Sequence, residues 1–163
     1  RCLVAQAPSE EQAMKHILLD TNILGDLGIR HRDEKDPGIR LLRTCQQGKL
    51  HAYATGWSVM SLMYLMDSAR NERGERMCSK AEVMAEASAL LTFVTVIDAN
   101  NSAFAMGLAM GWADWEDAII YAAGDSHPLI EAVVTNDKKF RNRTKKLPGI
   151  KAIDPAVLVD AER

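Results

Sequence analysis

The sequence predicts an α/β fold in which helices flank a central parallel sheet, and two features of the chain carry that prediction. Short runs of β-branched and other apolar residues alternate with longer segments whose apolar residues recur at helical spacing. The connections between them are short, as in β–α–β units with right-handed crossovers. The length of 163 residues fits one domain with a substantial core.

Five runs are predicted to be the strands of that sheet. Most of them are continuously apolar rather than alternating, which is typical of strands buried on both faces of a parallel sheet. The runs cover residues 16–20, 49–54, 93–97, 132–135 and 150–153.

The predicted helices fill the segments between these strands. They cover residues 22–27, 37–47, 59–65, 81–91, 102–110 and 114–123, followed by a terminal helix that begins at Pro155. Residues 55–58 offer N-caps for the third helix, whose Met-rich face is interpreted as core. Gly48, Gly111 and Gly124 are predicted helix ends. The polar segment 30–36 is a predicted loop, and 71–76 is predicted to be a loop or the end of a helix.

Composition narrows the class of protein. Apolar residues make up 47% and charged residues 26% of the chain, ordinary values for a globular domain. The net charge of −2 means that any nucleic-acid binding must come from a local patch. Three scattered cysteines favour a reducing cytoplasm, and no apolar run is long enough to span a membrane. Residues 1–13 show no signal-peptide pattern and are interpreted as an extension, possibly non-native, of a single domain at 14–163.

Acidic residues follow or begin three of the predicted elements. Asp20 and Asp137 come after two apolar runs far apart in sequence, and Asp114 and Asp117 lie where a strongly apolar helix begins. In parallel sheets the ligand crevice lies beyond the carboxyl ends of the strands, so we expect these acids to converge there. Converging carboxylates repel one another unless a cation joins them, which indicates a hard divalent metal and phosphate chemistry.

Each acid also has a structural interpretation. Asp20 could form an Asx turn, but its predicted convergence with Asp137 favours the metal. Asp114 is as well explained by an N-cap as by a metal ligand, while Asp117 is interpreted as functional. Asp98, at another strand end, is interpreted as structural, and Glu116 as solvated because it points off the face shared by Asp114 and Asp117. Polar neighbours could hydrogen-bond the acids or a phosphate: Thr21, Asn22, Thr135 and Asn136.

A basic segment follows the last acid. Residues 137–151 contain seven lysines and arginines and one acid, a local net charge of +6. Such a run is usually a solvated face, but its place beside the predicted crevice favours contact with a phosphate backbone. The predicted RNA-binding residues are Lys138, Lys139, Arg141 and Arg143. Arg30, Arg32 and Arg40 could border the same opening.

Three motifs carry a resemblance to a known family. They are Leu-Leu-Asp-Thr-Asn at 18–22, Asp-Trp-Glu-Asp-Ala at 114–118 and Val-Thr-Asn-Asp-Lys-Lys-Phe at 134–140. In this order the chain resembles the PIN domains, which include the VapC-type toxins of prokaryotic toxin–antitoxin pairs. The resemblance implies a three-layer α/β/α fold and RNA cleavage that depends on Mg²⁺ or Mn²⁺. It places Asp20, Asp117 and Asp137 on the family's acidic positions.

The resemblance also implies partners, namely an RNA substrate, a small antitoxin and a second copy of the chain, which residues 59–65 could contact. One position departs from the family pattern. The family commonly carries a glutamate on the helix after the second strand, where this chain has Ser61. The sequence therefore leaves three functions open: a metal-dependent ribonuclease, a catalytically weak module that binds RNA or a partner, and another metal-dependent phosphohydrolase that acts on small molecules or DNA flaps. Trp57 and Tyr64, on the same helix, are interpreted as core residues rather than base-stacking platforms.

Overall fold

A computed structural model describes residues 15–28, 33 and 35–159, which form a parallel sheet flanked by helices. The five strands lie in the order β3-β2-β1-β4-β5, and every neighbouring pair is parallel. Their bounds are β1 His16–Leu19, β2 His51–Thr55, β3 Val94–Ile97, β4 Ala132–Val134 and β5 Lys151–Ile153. The predicted three-layer α/β/α fold is confirmed.

Helices connect the successive strands, two in each of the first three connections and one between β4 and β5, and the last helix follows β5. Their bounds are α1 Thr21–Gly28, α2 Pro37–Gln46, α3 Gly56–Ser68, α4 Lys80–Leu90, α5 Asn101–Ala109, α6 Trp115–Asp125, α7 Lys138–Thr144 and α8 Pro155–Val159. Helix α3 begins after Thr55, whose side chain accepts a hydrogen bond from the Ser58 backbone N–H at 3.1 Å. Ser79 and Glu82 form a capping box at the start of α4.

Two apolar cores lie on the two faces of the sheet. Alternate residues of β1 separate between them, because side chains of a strand point to opposite faces. Ile17 and Leu19 belong to the larger core, which includes the apolar residues of α1–α4. Leu18 belongs to the second core, with Val133 and Phe140. All three β1 residues are essentially inaccessible to solvent, so β1 is the buried centre of the fold.

The order of the strands creates a crevice beside β1. The chain moves from β1 to β2 on one side of the sheet, and β4 pairs with β1 on the other side. The strand order therefore reverses at β1, and at such a point the connections leave a crevice outside the carboxyl ends of the strands. Asp20 directly follows β1, and Thr135 directly follows β4.

The structure corrects the predicted helices at two places. Gly124 does not end α6 but lies buried inside its last turn, where an added Cβ would lie only 3.0 Å from side-chain atoms of Ile150 and Leu18. A short helix that is not among the predicted ones, α7, follows Asp137, which caps it by accepting from the Lys139 N–H at 2.7 Å. Gly48 and Gly111 do follow helix ends, with φ of 73° and 64°.

The prediction of which α3 residues are buried in the core is partly wrong. Trp57 and Tyr64 are 55% and 73% exposed, and Met60 is exposed as well. The buried face of α3 instead carries Ser58, Val59, Leu62 and Met66. The helix thus leaves a large aromatic and methionine surface in solvent, beside the crevice.

Some predictions fall outside the described residues. The structure does not describe residues 1–14 and 29–32. The proposed N-terminal extension at 1–13 and the proposed roles of Arg30 and Arg32 therefore stay predictions. Within the described part of the chain, no helix is both long enough and apolar enough to span a membrane.

Candidate acidic site

Asp20 is fixed at the carboxyl end of β1. Its backbone N–H continues the sheet ladder by donating to the carbonyl of Val134 at 3.0 Å. Its side chain is almost fully buried. The Thr21 N–H donates to Oδ1 at 2.7 Å, while Asn22 Nδ2 and Thr135 Oγ1 donate to Oδ2 at 2.5 and 2.6 Å. These three donors fix the orientation of the carboxylate.

The same polar network joins the ends of β1 and β4. Asn22 Nδ2 also donates to Thr135 Oγ1 at 3.0 Å, and its Oδ1 accepts from the Asn136 N–H at 3.0 Å. Thr135 Oγ1 in turn accepts from the Asp137 N–H at 2.9 Å. The four polar neighbours predicted around the acids are therefore brought to the crevice, where they hold the two strand ends in register.

Asp26 is a polar residue of this network that sequence reasoning missed. It is 1% exposed and accepts from Asn136 Nδ2 at 3.1 Å. It lies on α1, two turns after Asp20, but a lone aspartate within an apolar helix gives no signal of this role.

Helix α6 brings Asp117 to the crevice in its first turn, where the residue is 8% exposed. Asp114 is the N-cap of α6, accepting from the Asp117 N–H at 3.3 Å. Of the two interpretations of Asp114, the cap is thus present in the structure. Asp137 is the N-cap of α7, and it lines the same groove as Asp114.

The carboxylates lie within one another's electrostatic field. Burial raises the pKa of Asp20 to about 6, and Glu116 and Asp137 add to the rise, against the hydrogen bonds from Thr135 and Thr21. Burial likewise raises the pKa of Asp117 to about 7, with further contributions from Asp114, Asp20 and Asp137. Burial is thus the main cause of both raised pKa values, and repulsion between the acids adds to it.

Arg143 of α7 is a protein cation that reaches these acids. It lies 3.3 Å from Asp117 Oδ2 and works against the rise in the Asp117 pKa. Its guanidinium also stacks over the Trp112 ring, 5.3 Å from the ring centroid. Arg143 is therefore held at the inner edge of the acidic cluster.

The other predicted RNA-binding residues divide into two kinds. Arg141 is occupied within the fold: it donates to the carbonyl of Thr135 at 2.8 Å and pairs with Asp154 at 3.0 Å. Lys138 and Lys139 are more accessible. Lys139 lines a polar groove of about 490 Å³ together with Asp137 and Arg143, so the basic face of α7 opens directly beside the acids.

Glu116 is the site residue that the sequence interpretation placed wrongly. It is half-buried rather than solvated, and its Oε1 accepts from the Thr21 hydroxyl at 3.0 Å. That hydroxyl also lies 3.0 Å from Ser58 Oγ. The first turn of α6 points at the strand ends, so consecutive residues there border the crevice, and this is the signal that could have identified Glu116.

Ser61 lies on the same side of the crevice. It is half-buried and lines a pocket together with Thr21 and Glu116. Among the residues that line this pocket, α3 therefore supplies no carboxylate, whereas α6 supplies that of Glu116.

The acids supply carboxylate oxygens, which are the ligands that hard divalent cations prefer. Among the described residues, no group of three or more His, Cys, Asp or Glu side chains is arranged to hold a metal ion. Mg²⁺ takes only one or two direct carboxylates and keeps several waters, so the chemistry of these residues agrees with Mg²⁺ while their arrangement forms no ready metal group.

The fold of the chain is similar to that of proteins with solved structures. No protein-family model and no curated protein sequence matches the chain. Solved structures do match, and they contain VapC-type toxins. The VapBC2 complex of Rickettsia felis bound to a promoter DNA fragment shares 14% identity over 85% of this chain and 98% of the matched chain, with a TM-score of 0.59.

Two further solved structures, both of VapC-type toxins, have a similar fold. VapC20 of Mycobacterium tuberculosis, a toxin that cleaves the sarcin–ricin loop, shares 17% identity over 78% of this chain and 94% of its own, with a TM-score of 0.57. DNA-bound VapBC of Salmonella typhimurium shares 19% identity over 87% of this chain and 99% of the matched chain, with a TM-score of 0.58. The chain therefore has the PIN-domain fold of the VapC-type toxins.

Proposed function

We propose that the protein is a metal-dependent endoribonuclease that hydrolyses RNA phosphodiester bonds, and that it acts as the toxin of a toxin–antitoxin pair. One observation carries the proposal: Asp20 and Asp117 are buried at the strand-reversal crevice of a PIN fold, where burial and neighbouring acids raise the pKa of both. Burying such acids is costly unless a cation or a proton compensates for their charge.

The acids have separate roles in this proposal. Asp20, Asp117 and Asp137 hold Mg²⁺ or Mn²⁺, and Asp114 adds negative charge at the start of α6. The chemistry that a bound cation would supply is polarisation of the phosphoryl oxygen and a lower pKa for a water. The hydrogen bonds from Thr135 and Asn22 keep Asp20 Oδ2 in one orientation, which pre-organises the site.

The basic residues of α7 bind the substrate in this proposal. Lys138 and Lys139 lie beside the groove and attract the phosphate backbone. Arg143 lies closer to the acids, where its charge reaches the phosphate that is cleaved. Arg141 acts indirectly, because its contacts with Thr135 and Asp154 fix α7 against the sheet.

The proposed partners follow from the fold and from the surface of α3. Two of the similar structures are VapBC complexes, which supports an antitoxin that blocks the crevice. The exposed residues Met60, Tyr64 and Leu65 support self-association through residues 59–65. We place the protein in the cytoplasm, where RNA is available and thiols such as Cys45 and Cys78 stay reduced.

The second candidate function is binding of RNA or a protein partner without efficient cleavage. The described residues contain no group of three or more side chains arranged to hold a metal ion. Helix α3 also carries Ser61 at the position where PIN domains commonly carry a glutamate. Under this alternative the crevice binds RNA or a protein partner with little turnover.

The experiment that separates the two functions is cleavage of a mixed structured RNA with Mg²⁺, with Mn²⁺ and with EDTA. The intact chain is compared with Asp20→Asn, and Asp98→Asn serves as the matched control because Asp98 is an exposed strand-end aspartate. Cleavage that needs metal and is lost only in Asp20→Asn supports the nuclease. RNA binding without cleavage, unchanged in Asp20→Asn, supports the binding module.

A further inference from the structure

Two tryptophans at the starts of helices are exposed beside the acidic crevice. Trp57 is the second residue of α3, which Thr55 caps, and Trp115 is the first residue of α6, which Asp114 caps. The two indoles are 55% and 54% exposed. Contiguous apolar surface of this kind, left in solvent, indicates a binding site.

We propose that Trp57 and Trp115 form a stacking site for an unpaired nucleobase of the RNA, beside the acids that act on its phosphate. The inference rests on the proposed function, because it specifies that the substrate is single-stranded at this position. Stacking on aromatic side chains is a general way in which proteins bind the unstacked bases of single-stranded RNA.

The two indole rings are arranged edge to face. Their centroids are 6.2 Å apart, and their planes make an angle of 63°. At this angle the rings do not stack on each other, so each keeps a face that the other does not cover. A planar base can add to the pair by offset stacking or by a further edge-to-face contact, the geometries that aromatic rings prefer.

The tryptophans line a cleft of about 330 Å³, together with Phe104 and Ile119. Sites for small ring compounds are typically concave and lined mostly by apolar and aromatic side chains, with few polar groups. Among the described residues that line the cleft, the charged ones are Asp98 and Glu116. Because both are acidic, the cleft disfavours a phosphate and suits a neutral ring.

The cleft is continuous with the basic groove on the α7 side. Trp115 and Glu116 line both the cleft and the groove that contains Lys139 and Arg143. Aromatic rings beside a positively charged groove are the combination that binds single-stranded nucleic acid, in which bases stack and the backbone follows the charges. An RNA strand accounts for both surfaces, whereas an apolar protein partner accounts for the cleft alone.

The polar network connects the stacking site to Asp20. The Thr21 hydroxyl lies 3.0 Å from Ser58 Oγ and 3.0 Å from Glu116 Oε1, and these two residues directly follow the two tryptophans in sequence. The Thr21 N–H in turn donates to Asp20 Oδ1 at 2.7 Å. A base on the tryptophans therefore brings the adjoining phosphate to the crevice.

The experiment measures the affinity of the full chain for two fluorescent strands of equal length, in EDTA so that no metal-dependent cleavage intervenes. One strand is single-stranded RNA, and the other is the same ribose-phosphate backbone without bases. Trp115→Leu removes the ring but keeps an apolar side chain, and Trp115→Tyr restores a ring. Leu129→Ala is the control, because Leu129 is 53% exposed and precedes β4, near the amino ends of the strands.

We expect the intact chain to bind the RNA more tightly than the backbone without bases. Trp115→Leu should weaken RNA binding by roughly tenfold, the loss expected for one stacked base, and leave binding of the bare backbone unchanged. Trp115→Tyr should recover most of the affinity, and Leu129→Ala should bind both strands as the intact chain does.

A loss in Trp115→Leu that is equal for the two strands, or no loss at all, overturns the inference and leaves the proposed nuclease standing. If Trp115→Leu keeps its RNA affinity but lowers the mass of the chain in analytical ultracentrifugation, the surface binds a second copy and the inference is wrong. The proposed function fails in a different way, namely when the chain cleaves no RNA with Mg²⁺ or Mn²⁺ although Trp115 still supports base-dependent binding. An intact chain that binds neither strand overturns both the stacking site and the RNA-binding role.

Discussion

Asp20 and Asp98 follow strands of the same kind but differ in almost every structural respect. Each comes directly after a short β-branched or apolar run. Asp20 is 3% exposed and accepts three hydrogen bonds, whereas Asp98 is exposed. Asp20 follows the central strand β1, where the strand order reverses, while Asp98 follows the edge strand β3. The position of a strand within the sheet, and not the local sequence, decides which acid lies in the crevice.

The largest expected effect comes from removing the charge of each acid in turn. Asp20→Asn should lower RNA cleavage by about 100-fold or more, because it removes a direct ligand of the proposed cation. Asp98→Asn should change cleavage by less than about twofold. Initial rates on one RNA at saturating Mg²⁺ measure both. Equal losses in the two variants would show that the buried central position gives Asp20 no special role.

A smaller effect should follow from weakening the support of Asp20. Thr135→Val removes the 2.6 Å hydrogen bond that lowers the Asp20 pKa, so that pKa should rise further. We expect cleavage to fall about tenfold at neutral pH and its pH profile to shift upward. Thr95→Val, at an exposed position of the edge strand β3, is the matched control. A pH profile that stays in place would argue against the proposed role of this hydrogen bond.

Stability should respond to pH through Asp117. Its folded-state pKa of about 7 lies above the ordinary value of 3.8, so its contribution to stability is complete below pH 4 and is lost as the pH rises through 7. Without metal, Asp117→Asn should therefore melt higher than the intact chain at pH 8, by ~2–4 °C for each kcal/mol of relieved repulsion, and show little difference near pH 4. Melting curves in EDTA at the two pH values test this.

Asp98→Asn is again the control, and at an exposed position it should change the melting temperature little at either pH. Added Mg²⁺ should stabilise the intact chain more than Asp117→Asn. A lower melting temperature of Asp117→Asn at pH 8 would contradict the picture of a buried, repelled carboxylate.

The smallest effect concerns the basic face of α7. Replacing Lys138 and Lys139 with glutamine should weaken RNA binding several-fold and flatten its salt dependence, by a slope of about 0.7 for each phosphate that is no longer neutralised. Adding Arg141→Gln should instead reduce stability, because Arg141 contacts Thr135 and Asp154. Lys80→Gln, on α4, is the control. Binding whose salt slope is the same in all variants would remove α7 from the RNA interface.

The sequence predicts most of the framework because the apolar pattern is strong. Apart from α7, the strands and helices of the described residues begin and end within a few residues of their predicted bounds. Asp20, Asp117 and Asp137 lie near enough for their charges to interact. The pattern is less informative on α3, where apolar residues occur all around the helix. Because the helix has no polar face that would indicate its solvent-exposed side, the local sequence does not predict that Trp57 and Tyr64 are exposed.

The predictions that failed depend on contacts between distant segments. Helical spacing alone assigns Glu116 to solvent, but Thr21, far away in sequence, holds it at the crevice. Local pattern assigns Gly124 to a helix end, but the close approach of Leu18 and Ile150 is the reason for glycine there. Such contacts are set by the packing of α6 against the sheet, which the local pattern does not contain.

The proposed nuclease requires that the acids at the strand reversal hold a divalent cation. The most direct test is a crystal of the chain soaked in Mn²⁺, with data collected at the manganese absorption edge. We predict an anomalous peak in contact with Asp20 or Asp117 that is absent from crystals of Asp20→Asn. A crystal with no peak at this crevice, under Mn²⁺ concentrations that support RNA cleavage, would contradict the claim.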